Sequence, residues 1–241
     1  MDNPIRSAPA STACPRADGA AAAEGRTALV AGATGLVGRE ILQGLLTDDS
    51  VAAVHVLVRR SLDLRHARLT THVVDFAALP ELPRVDEVYL ALGTTIKVAG
   101  SQAAFRAVDH DANLSVATSA RRAGAARLGL VSAMGASARS SVFYSRVKGE
   151  LEDDLARLGY EGLVIARPSL LVGDRAALGQ PIRPGERWGE AVGGWLRPLI
   201  PANYRPISAR AVAHALLCTV PTVRGTQILP SGRMQEMAAH A

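Results

Sequence analysis

Tyr144 and Lys148 are four residues apart, so on a helix their side chains share one face. A free tyrosine has a pKa of about 10, and a neighbouring ammonium favours its phenolate form. The pair therefore predicts a group that transfers a proton to or from a substrate oxygen. Ser132 follows an apolar run upstream, where its hydroxyl can orient or polarise a substrate carbonyl. The structural alternatives are a half-buried tyrosine beside a lysine whose stem packs on the surface, and a serine that caps a turn.

A glycine-rich stretch near the start of the chain has the spacing G-x-x-G-x-x-G. It follows an apolar strand predicted over residues 27–31 and opens a helix that we expect to reach about residue 46. In such a unit the three glycines permit a tight turn, let backbone amides approach a pyrophosphate, and let the helix pack closely on the strand. The free N–H groups of the helix end would bind the pyrophosphate. The stretch consists of Gly32, Ala33, Thr34, Gly35, Leu36, Val37 and Gly38; the alternative is a plain strand–turn–helix connection.

The second predicted strand, residues 53–58, is followed at once by Arg59 and Arg60. The residue at this position faces the adenosine ribose, where an acid suits the 2′-hydroxyl of NAD and an arginine suits the 2′-phosphate of NADP. Two guanidinium groups and no acid favour NADP(H) over NAD(H). The alternative is a solvated turn. Asp75 and Phe76 end the next strand, residues 69–74, where they are placed to contact the adenine; a cap or turn role is the alternative for Asp75.

The remaining elements alternate between strands and helices, which predicts an α/β fold with a doubly wound parallel sheet and helices on both faces. Strands are predicted over residues 85–92, 128–131, 163–166 and 227–229. Helices are predicted from Ser101 to about residue 123, from about residue 142, and over residues 208–220. Leu92, Gly93 and Thr94 leave the fourth strand at its carboxyl end, where parallel sheets bind ligands.

Length and composition limit the other classes of function. We expect a disordered alanine-rich tail over residues 1–25, then one domain over residues 26–241 with a small substrate or lid region from about residue 170. The net charge is +5, but the 25 arginines are scattered along the chain, which indicates solvated faces rather than a nucleic-acid surface. The sequence contains no run of 18 apolar residues, so it does not indicate a membrane span. The spacing of its cysteines and histidines does not indicate a metal site. Two cysteines, Cys14 and Cys218, fit a reducing cytoplasm.

Several of these motifs together resemble the atypical short-chain dehydrogenase/reductase superfamily, and most closely its Tat-interacting oxidoreductase-like proteins. The motifs are residues 32–38, 92–95, 105–109, 130–132 and 144–151. The resemblance implies an NADP(H)-binding Rossmann domain in which Ser132, Tyr144 and Lys148 are catalytic. It also implies that Tyr144 and Lys148 contact the cofactor and that Pro168 and Ser169 line the nicotinamide pocket, and it suggests a homodimer. One departure from the family pattern is Ala31, which stands before the first motif glycine where many relatives have threonine. Asn113 lies in the helix that carries the catalytic asparagine of the superfamily.

These observations predict an NADP(H)-dependent oxidoreductase acting on a small carbonyl or hydroxyl compound. One alternative is a regulatory protein that senses NADP(H) and binds a protein partner through the segment around Trp188 and Trp195. A nucleotide-sugar epimerase or dehydratase shares the tyrosine–lysine pair. It is the least favoured reading because about 70 residues after Arg167 leave little room for a substrate domain.

Overall fold

A computed structural model describes residues 25–172 and 201–240. Its centre is a seven-stranded sheet in the order β3-β2-β1-β4-β5-β6-β9, with every neighbouring pair parallel. A separate short parallel pair joins β7 to β8. The strands are β1 (Arg26–Ala31), β2 (Val51–Val58), β3 (Leu69–Val73), β4 (Glu87–Leu90), β5 (Arg127–Val131), β6 (Gly162–Arg167), β7 (Leu171–Val172), β8 (Ile207–Ser208) and β9 (Gly225–Pro230).

Helices cover both faces of this sheet and enclose two apolar cores. One core contains buried residues of α1 and α6, and the other contains buried residues of α4 and α5. The helices are α1 (Leu36–Thr47), α2 (Ile96–Ala99), α3 (Gln102–Arg106), α4 (Asn113–Arg122), α5 (Phe143–Ala156), α6 (Ala209–Thr219) and α7 (Ser231–Ala239). The prediction of a doubly wound α/β fold is confirmed. Within the described ranges, no helix combines the length and the apolar character that crossing a bilayer requires.

The long helix expected between residues 101 and 123 is interrupted. Ser101 caps α3 as predicted, since its hydroxyl accepts the N–H of Ala104, but residues Ala107–Ala112 form a π-helical segment before α4 begins. Such a segment holds one extra residue per turn and is frequent at functional sites. The fourth strand is shorter than predicted because the side chain of Asp86 accepts the backbone N–H of Thr27 just before the strand begins.

The strand expected to reach residue 74 ends at Val73, and a helix, α7, follows the last strand where no element was predicted. The helix expected over residues 208–220 is confirmed as α6, with Ser208 as its cap. The predicted alanine-rich tail and the Trp188/Trp195 segment lie outside the described residues.

The amino end of the sheet is held by a buried ion pair. The guanidinium of Arg26 at the start of β1 lies 2.9 Å from the carboxylate of Glu87 on β4, which is 1% exposed. Burial raises the pKa of Glu87, and Arg26 opposes that shift. At the opposite, carboxyl end of the sheet the strand order reverses between β1 and β4, which is where doubly wound sheets form their binding crevice.

Candidate active site

The loop between β1 and α1 needs glycine at two of its three positions for reasons internal to the protein. Gly32 has a φ of +91°, in the left-handed region that favours glycine. A Cβ on Gly38 would lie 2.0 Å from the carbonyl oxygen of Gly32, so a side chain there would push α1 away from the turn. Gly35 differs, because a Cβ there would meet protein atoms only at 3.4 Å or more. Packing within the protein therefore does not require glycine at this position.

The first turn of α1 offers unpaired donors. Gly35 is the N-cap residue, no side chain caps the helix, and no acidic residue stands in its first turn. The first N–H groups of a helix have no partner within it, and the helix dipole makes this end favourable for anions. Ala33 and Val37 are buried in the core and Leu36 packs against it, so these three fix the loop and leave Thr34 exposed.

Arg59 and Arg60 are exposed directly after β2, at the place expected for the adenosine side. A neighbouring cavity of about 640 Å³ between α1 and residues 61–66 contains a third arginine, Arg39, together with Thr34. Asp63 also lines this cavity. Within residues 25–172 and 201–240, none of the three arginines makes an ion pair, so each guanidinium is available to an anion.

Asp75 forms a local turn in the structure. Its carboxylate accepts the backbone N–H of Ala77 at 2.9 Å, which is the turn role considered as the alternative for this residue. Phe76 is partly buried and packs against the core shared by α4 and α5. Adenine contact by these two residues stays a prediction.

Two side chains of the interrupted helix form hydrogen bonds with residues 92–94, the exit of β4. Asp109 accepts the backbone N–H of Thr94 at 2.8 Å. Asn113 is fully buried and its amide nitrogen donates to the carbonyl of Leu92 at 3.2 Å. Its Oδ1 atom has no hydrogen-bond partner within the described residues.

Lys148 lies against this exit from α5. Its ammonium is 2.8 Å from the Oδ1 atom of Asp109, and the two side chains are only 5% and 1% exposed. A Cβ on Gly93 would be 3.9 Å from the same ammonium. Tyr144 is one turn earlier on the same helix, and its ring packs on Phe105 with a centroid distance of 5.5 Å. The structure therefore places the Lys148 ammonium at the end of β4, with Tyr144 one helical turn away against Phe105.

Ser132, expected to orient a substrate carbonyl, has a hydrogen-bond partner within the protein. Its hydroxyl is hydrogen-bonded to the carboxylate of Glu152, one turn beyond Lys148 on α5. The guanidinium of Arg167 at the end of β6 donates to both oxygens of that carboxylate, and these hydrogen bonds raise the pKa of Arg167. A carboxylate only accepts, so the single proton of the Ser132 hydroxyl is donated to Glu152. The Ser132 oxygen itself remains able only to accept hydrogen bonds.

Pro168 and Ser169 continue from β6 and are joined to the last part of the described chain. The hydroxyl of Ser169 donates to the carbonyl of Arg205 and lies 3.0 Å from the hydroxyl of Ser231 at the start of α7. The carbonyl of Pro168 accepts the N–H of Met134 at 2.8 Å, which ties the β5 and β6 exits together. Their expected place beside the nicotinamide stays a prediction.

Sequence reasoning missed three residues of this region: Arg39, Asp109 and Glu152. Arg39 directly follows the last motif glycine, and Glu152 continues the i, i+4 series begun by Tyr144 and Lys148. These positions could have indicated both residues from the sequence alone. Asp109 lies in the 105–109 motif, but no spacing singled it out, and it belongs to a π-helical segment that the sequence did not predict. Within the described ranges, no group of three or more His, Cys, Asp or Glu residues could hold a metal ion.

Curated relatives share much of this sequence, although no family model matches the chain. The mitochondrial protein FMP52 of Candida albicans is 34% identical over 200 residues, covering 78% of this chain and 85% of the relative. The chain belongs to the FMP52 family. FMP52 of Eremothecium gossypii is 41% identical over 151 residues, covering 61% of this chain and 67% of the relative. Both relatives are named as mitochondrial proteins, so the expected cytoplasmic location is wrong.

Solved structures share the fold at low sequence identity. MoeE5 in complex with UDP-glucose and NAD has a TM-score of 0.63 at 15% identity, covering 88% of this chain and 80% of that one. A short-chain dehydrogenase family protein of Francisella tularensis has a TM-score of 0.59 at 12% identity, covering 88% of this chain and 99% of that one. The enzyme WbmH of Bordetella bronchiseptica, in complex with NAD+, has a TM-score of 0.62 at 16% identity, covering 88% of this chain and 78% of that one. This chain thus shares the Rossmann-type α/β fold of these three solved structures.

Proposed function

We propose that this FMP52-family protein is an NADP(H)-dependent oxidoreductase of the short-chain dehydrogenase/reductase type, acting on a small carbonyl or hydroxyl compound. The observation that carries the proposal is the position of the Lys148 ammonium, beside Asp109 and below Gly93 at the end of β4. Strand β4 pairs directly with β1, whose exit is the glycine loop. The exits of these two neighbouring strands lie at the same end of the sheet, which supports one shared site for the proposed nucleotide loop and Lys148. We also propose the closer relation to the Tat-interacting oxidoreductase-like proteins.

The glycine loop fits a dinucleotide. Gly32 and Gly38 let α1 begin close against the turn, and Gly35 adds no side chain beside the first N–H groups of the helix. An uncapped helix end without nearby acids is suited to a pyrophosphate. Arg39, Arg59 and Arg60 support a 2′-phosphate, and therefore NADP(H), over NAD(H). The solved structures with this fold include complexes with NAD, so NAD(H) is the alternative cofactor to be tested.

The chain's own residues would handle the proton and the orientation. When bound, the nicotinamide supplies the hydride chemistry. Tyr144 would pass a proton between its phenolic oxygen and the substrate oxygen. Lys148 would donate to the nicotinamide ribose with the N–H groups that Asp109 does not occupy, since an ammonium has three donors. Ser132 would accept a hydrogen bond from a substrate hydroxyl or from Tyr144, because its own proton is bound to Glu152.

The test begins with calorimetric titration of the purified protein by NADPH and then by NADH. We expect NADPH to bind more tightly, and a reversal of the two charges in Arg59→Glu/Arg60→Glu to abolish that preference. A panel of small carbonyl compounds is then screened by NADPH oxidation. Tyr144→Phe should abolish turnover and keep NADPH affinity, while Tyr160→Phe serves as control because its hydroxyl binds the backbone of Ala117 outside the crevice. Turnover by Tyr144→Phe equal to that of the unchanged protein would refute the mechanism.

A second candidate is a protein that binds NADP(H) for regulation rather than turnover. The commitment of the Ser132 proton to Glu152 favours it, because Ser132 then has no proton to donate to a substrate carbonyl and Tyr144 is left as the one proposed hydroxyl donor. The proposed partner segment with Trp188 and Trp195 lies outside the described residues. NADPH binding without turnover, together with a partner whose capture depends on NADPH, would favour this candidate. A sugar-nucleotide epimerase is supported only by the bound ligands of solved structures with this fold, and UDP-sugar titration tests it.

A further inference from the structure

Asp109 is one of the most deeply buried charged side chains of the structure, and its two oxygens have different partners. It is 1% exposed. One oxygen lies 2.8 Å from the Lys148 ammonium on α5, and the other accepts the Thr94 N–H from the β4 exit. The carboxylate thus joins the helix of the proposed proton-transfer pair to the loop that follows β4. Nothing in the residue spacing of the Tyr144/Lys148 motif predicts this third group.

The backbone around Asp109 is built to aim it inward. The π-helical segment widens the helix by one residue per turn, so Asp109 and Asn113, four residues apart, both reach the β4 exit. Asn113 holds the Leu92 carbonyl while Asp109 holds the Thr94 amide. The exit is therefore fixed on both sides of Gly93, and the Lys148 ammonium lies directly against the fixed segment.

We propose that Asp109 is a positioning residue that holds the Lys148 ammonium at the end of β4; this proposal rests on the function proposed above for Lys148. A buried ammonium without a counter-charge is strongly disfavoured, and the Asp109 carboxylate supplies that charge. By accepting one of the three N–H donors, it also sets the direction of the other two. The ribose of an incoming dinucleotide then meets donors that are already oriented, and preorganised donors cost less to engage.

A purely structural role for Asp109 makes a different prediction. If the ion pair only attached the π-helical segment to α5, its loss would lower thermal stability and leave the dinucleotide affinity of the folded protein unchanged. The two roles therefore separate in a binding measurement made on folded protein.

The experiment measures the dissociation constant for NADPH by calorimetry, after circular dichroism has confirmed folding. Asp109→Asn removes the charge and keeps an oxygen that can accept the Thr94 N–H. We expect its affinity to fall by at least about fivefold. Asp111→Asn is the matched control, because Asp111 stands in the same π-helical segment with 59% of its side chain exposed, and its affinity should stay within about twofold of that of the unchanged protein.

A second pair of variants tests whether Asp109 acts through Lys148. Lys148→Met should weaken NADPH binding, and adding Asp109→Asn to Lys148→Met should weaken it no further, since no ammonium is left to position. Equal losses in both backgrounds, or normal NADPH affinity in Asp109→Asn, would overturn the proposal and leave the proposed function standing.

Asp109→Glu covers the case in which Asp109→Asn does not fold. It keeps the charge and moves the carboxylate by one methylene, so the displaced ammonium should again weaken NADPH binding, and unchanged affinity would contradict positioning. Failure of the unchanged protein to bind either NADPH or NADH would overturn the proposed function and this proposal together.

Discussion

Gly38→Ala tests how closely α1 is packed on the glycine loop. The added Cβ would lie 2.0 Å from the Gly32 carbonyl oxygen and 2.6 Å from the carbonyl carbon. Both are backbone atoms of the turn, and Gly32 itself is held in a left-handed conformation against the Ala91 backbone. Neither partner can rotate away, so α1 must move as a body.

The size of this movement follows from the contact distance. Cβ atoms essentially never approach other heavy atoms closer than 3.0 Å, so the helix must shift by about 1 Å from the turn. Overpacking of this kind costs about 1–3 kcal/mol, and a clash with backbone belongs at the upper end. For a domain of this size, about 3 kcal/mol corresponds to a melting temperature lowered by roughly 6–12 °C.

The assay is thermal unfolding by circular dichroism, with two alanine variants of neighbouring glycines as controls. A Cβ on Gly44, in the same helix, would approach the Leu217 side chain as closely, but that terminal methyl can rotate away. Gly44→Ala should therefore be far less destabilising, helped by about 0.5–1 kcal/mol of helix propensity. Gly35→Ala should lower stability by about 0.5 kcal/mol through its cap position and weaken NADPH binding, because it adds a methyl group beside the helix N–H groups proposed to bind the pyrophosphate.

The comparison has a clear negative outcome. If Gly38→Ala melts within about 2 °C of Gly44→Ala, backbone crowding at the turn is not limiting and the assigned role of Gly38 is refuted. If Gly35→Ala binds NADPH normally, the outer side of the loop is not the pyrophosphate site.

Three further predictions follow from other buried groups. Burial and the nearby His72 lower the pKa of His55 below its ordinary value of 6.5, so the stability that neutral His55 contributes is present above that pH and lost as the pH falls. Between about pH 7.5 and about pH 5.5, His72→Gln should therefore lose less free energy of unfolding than the unchanged protein, as measured by urea unfolding. Arg26→Ala should lower the free energy of unfolding by roughly 2–3 kcal/mol at neutral pH, because it leaves the buried Glu87 carboxylate without its counter-charge. Burial raises the pKa of Glu87, so the loss should be smaller near about pH 4.5, where more of this carboxyl is protonated. An equal loss at both pH values in urea unfolding would contradict this. Asn113→Leu should cost about 1–3 kcal/mol in the same assay, since the backbone carbonyls bound by its amide lose their donor.

Much of the fold could be predicted because its signals are local. The strands before Gly32 and Arg59 are apolar runs with a glycine or charged residue at their ends, and alternation with amphipathic helices determines a parallel sheet. Caps were equally readable, as Ser101 and Ser208 show. Strand ends were less accurate, because Asp86 pairs with a backbone amide of a distant strand.

The site could be predicted only where its residues share one helix or one loop. Tyr144 and Lys148 are brought together by helix periodicity alone. Asp109 meets Lys148 only after two helices and two strands have packed, and its burial breaks the apolar pattern from which burial is inferred. The donation of the Ser132 proton to Glu152 has the same origin, since the two residues belong to different elements.

The packing of Gly44 against Leu217 has a consequence for how the chain folds during synthesis. The glycine loop and α1 are made early, yet the apolar face of α1 is covered by α6, and the sheet is completed by β9 pairing with β6. Both late elements emerge from the ribosome after every residue of the proposed active site up to Ser169. Contacts so distant in sequence form slowly. The nascent chain therefore carries an uncovered apolar helix for most of its synthesis, and its first half alone is an aggregation-prone fragment rather than a small independent nucleotide-binding unit.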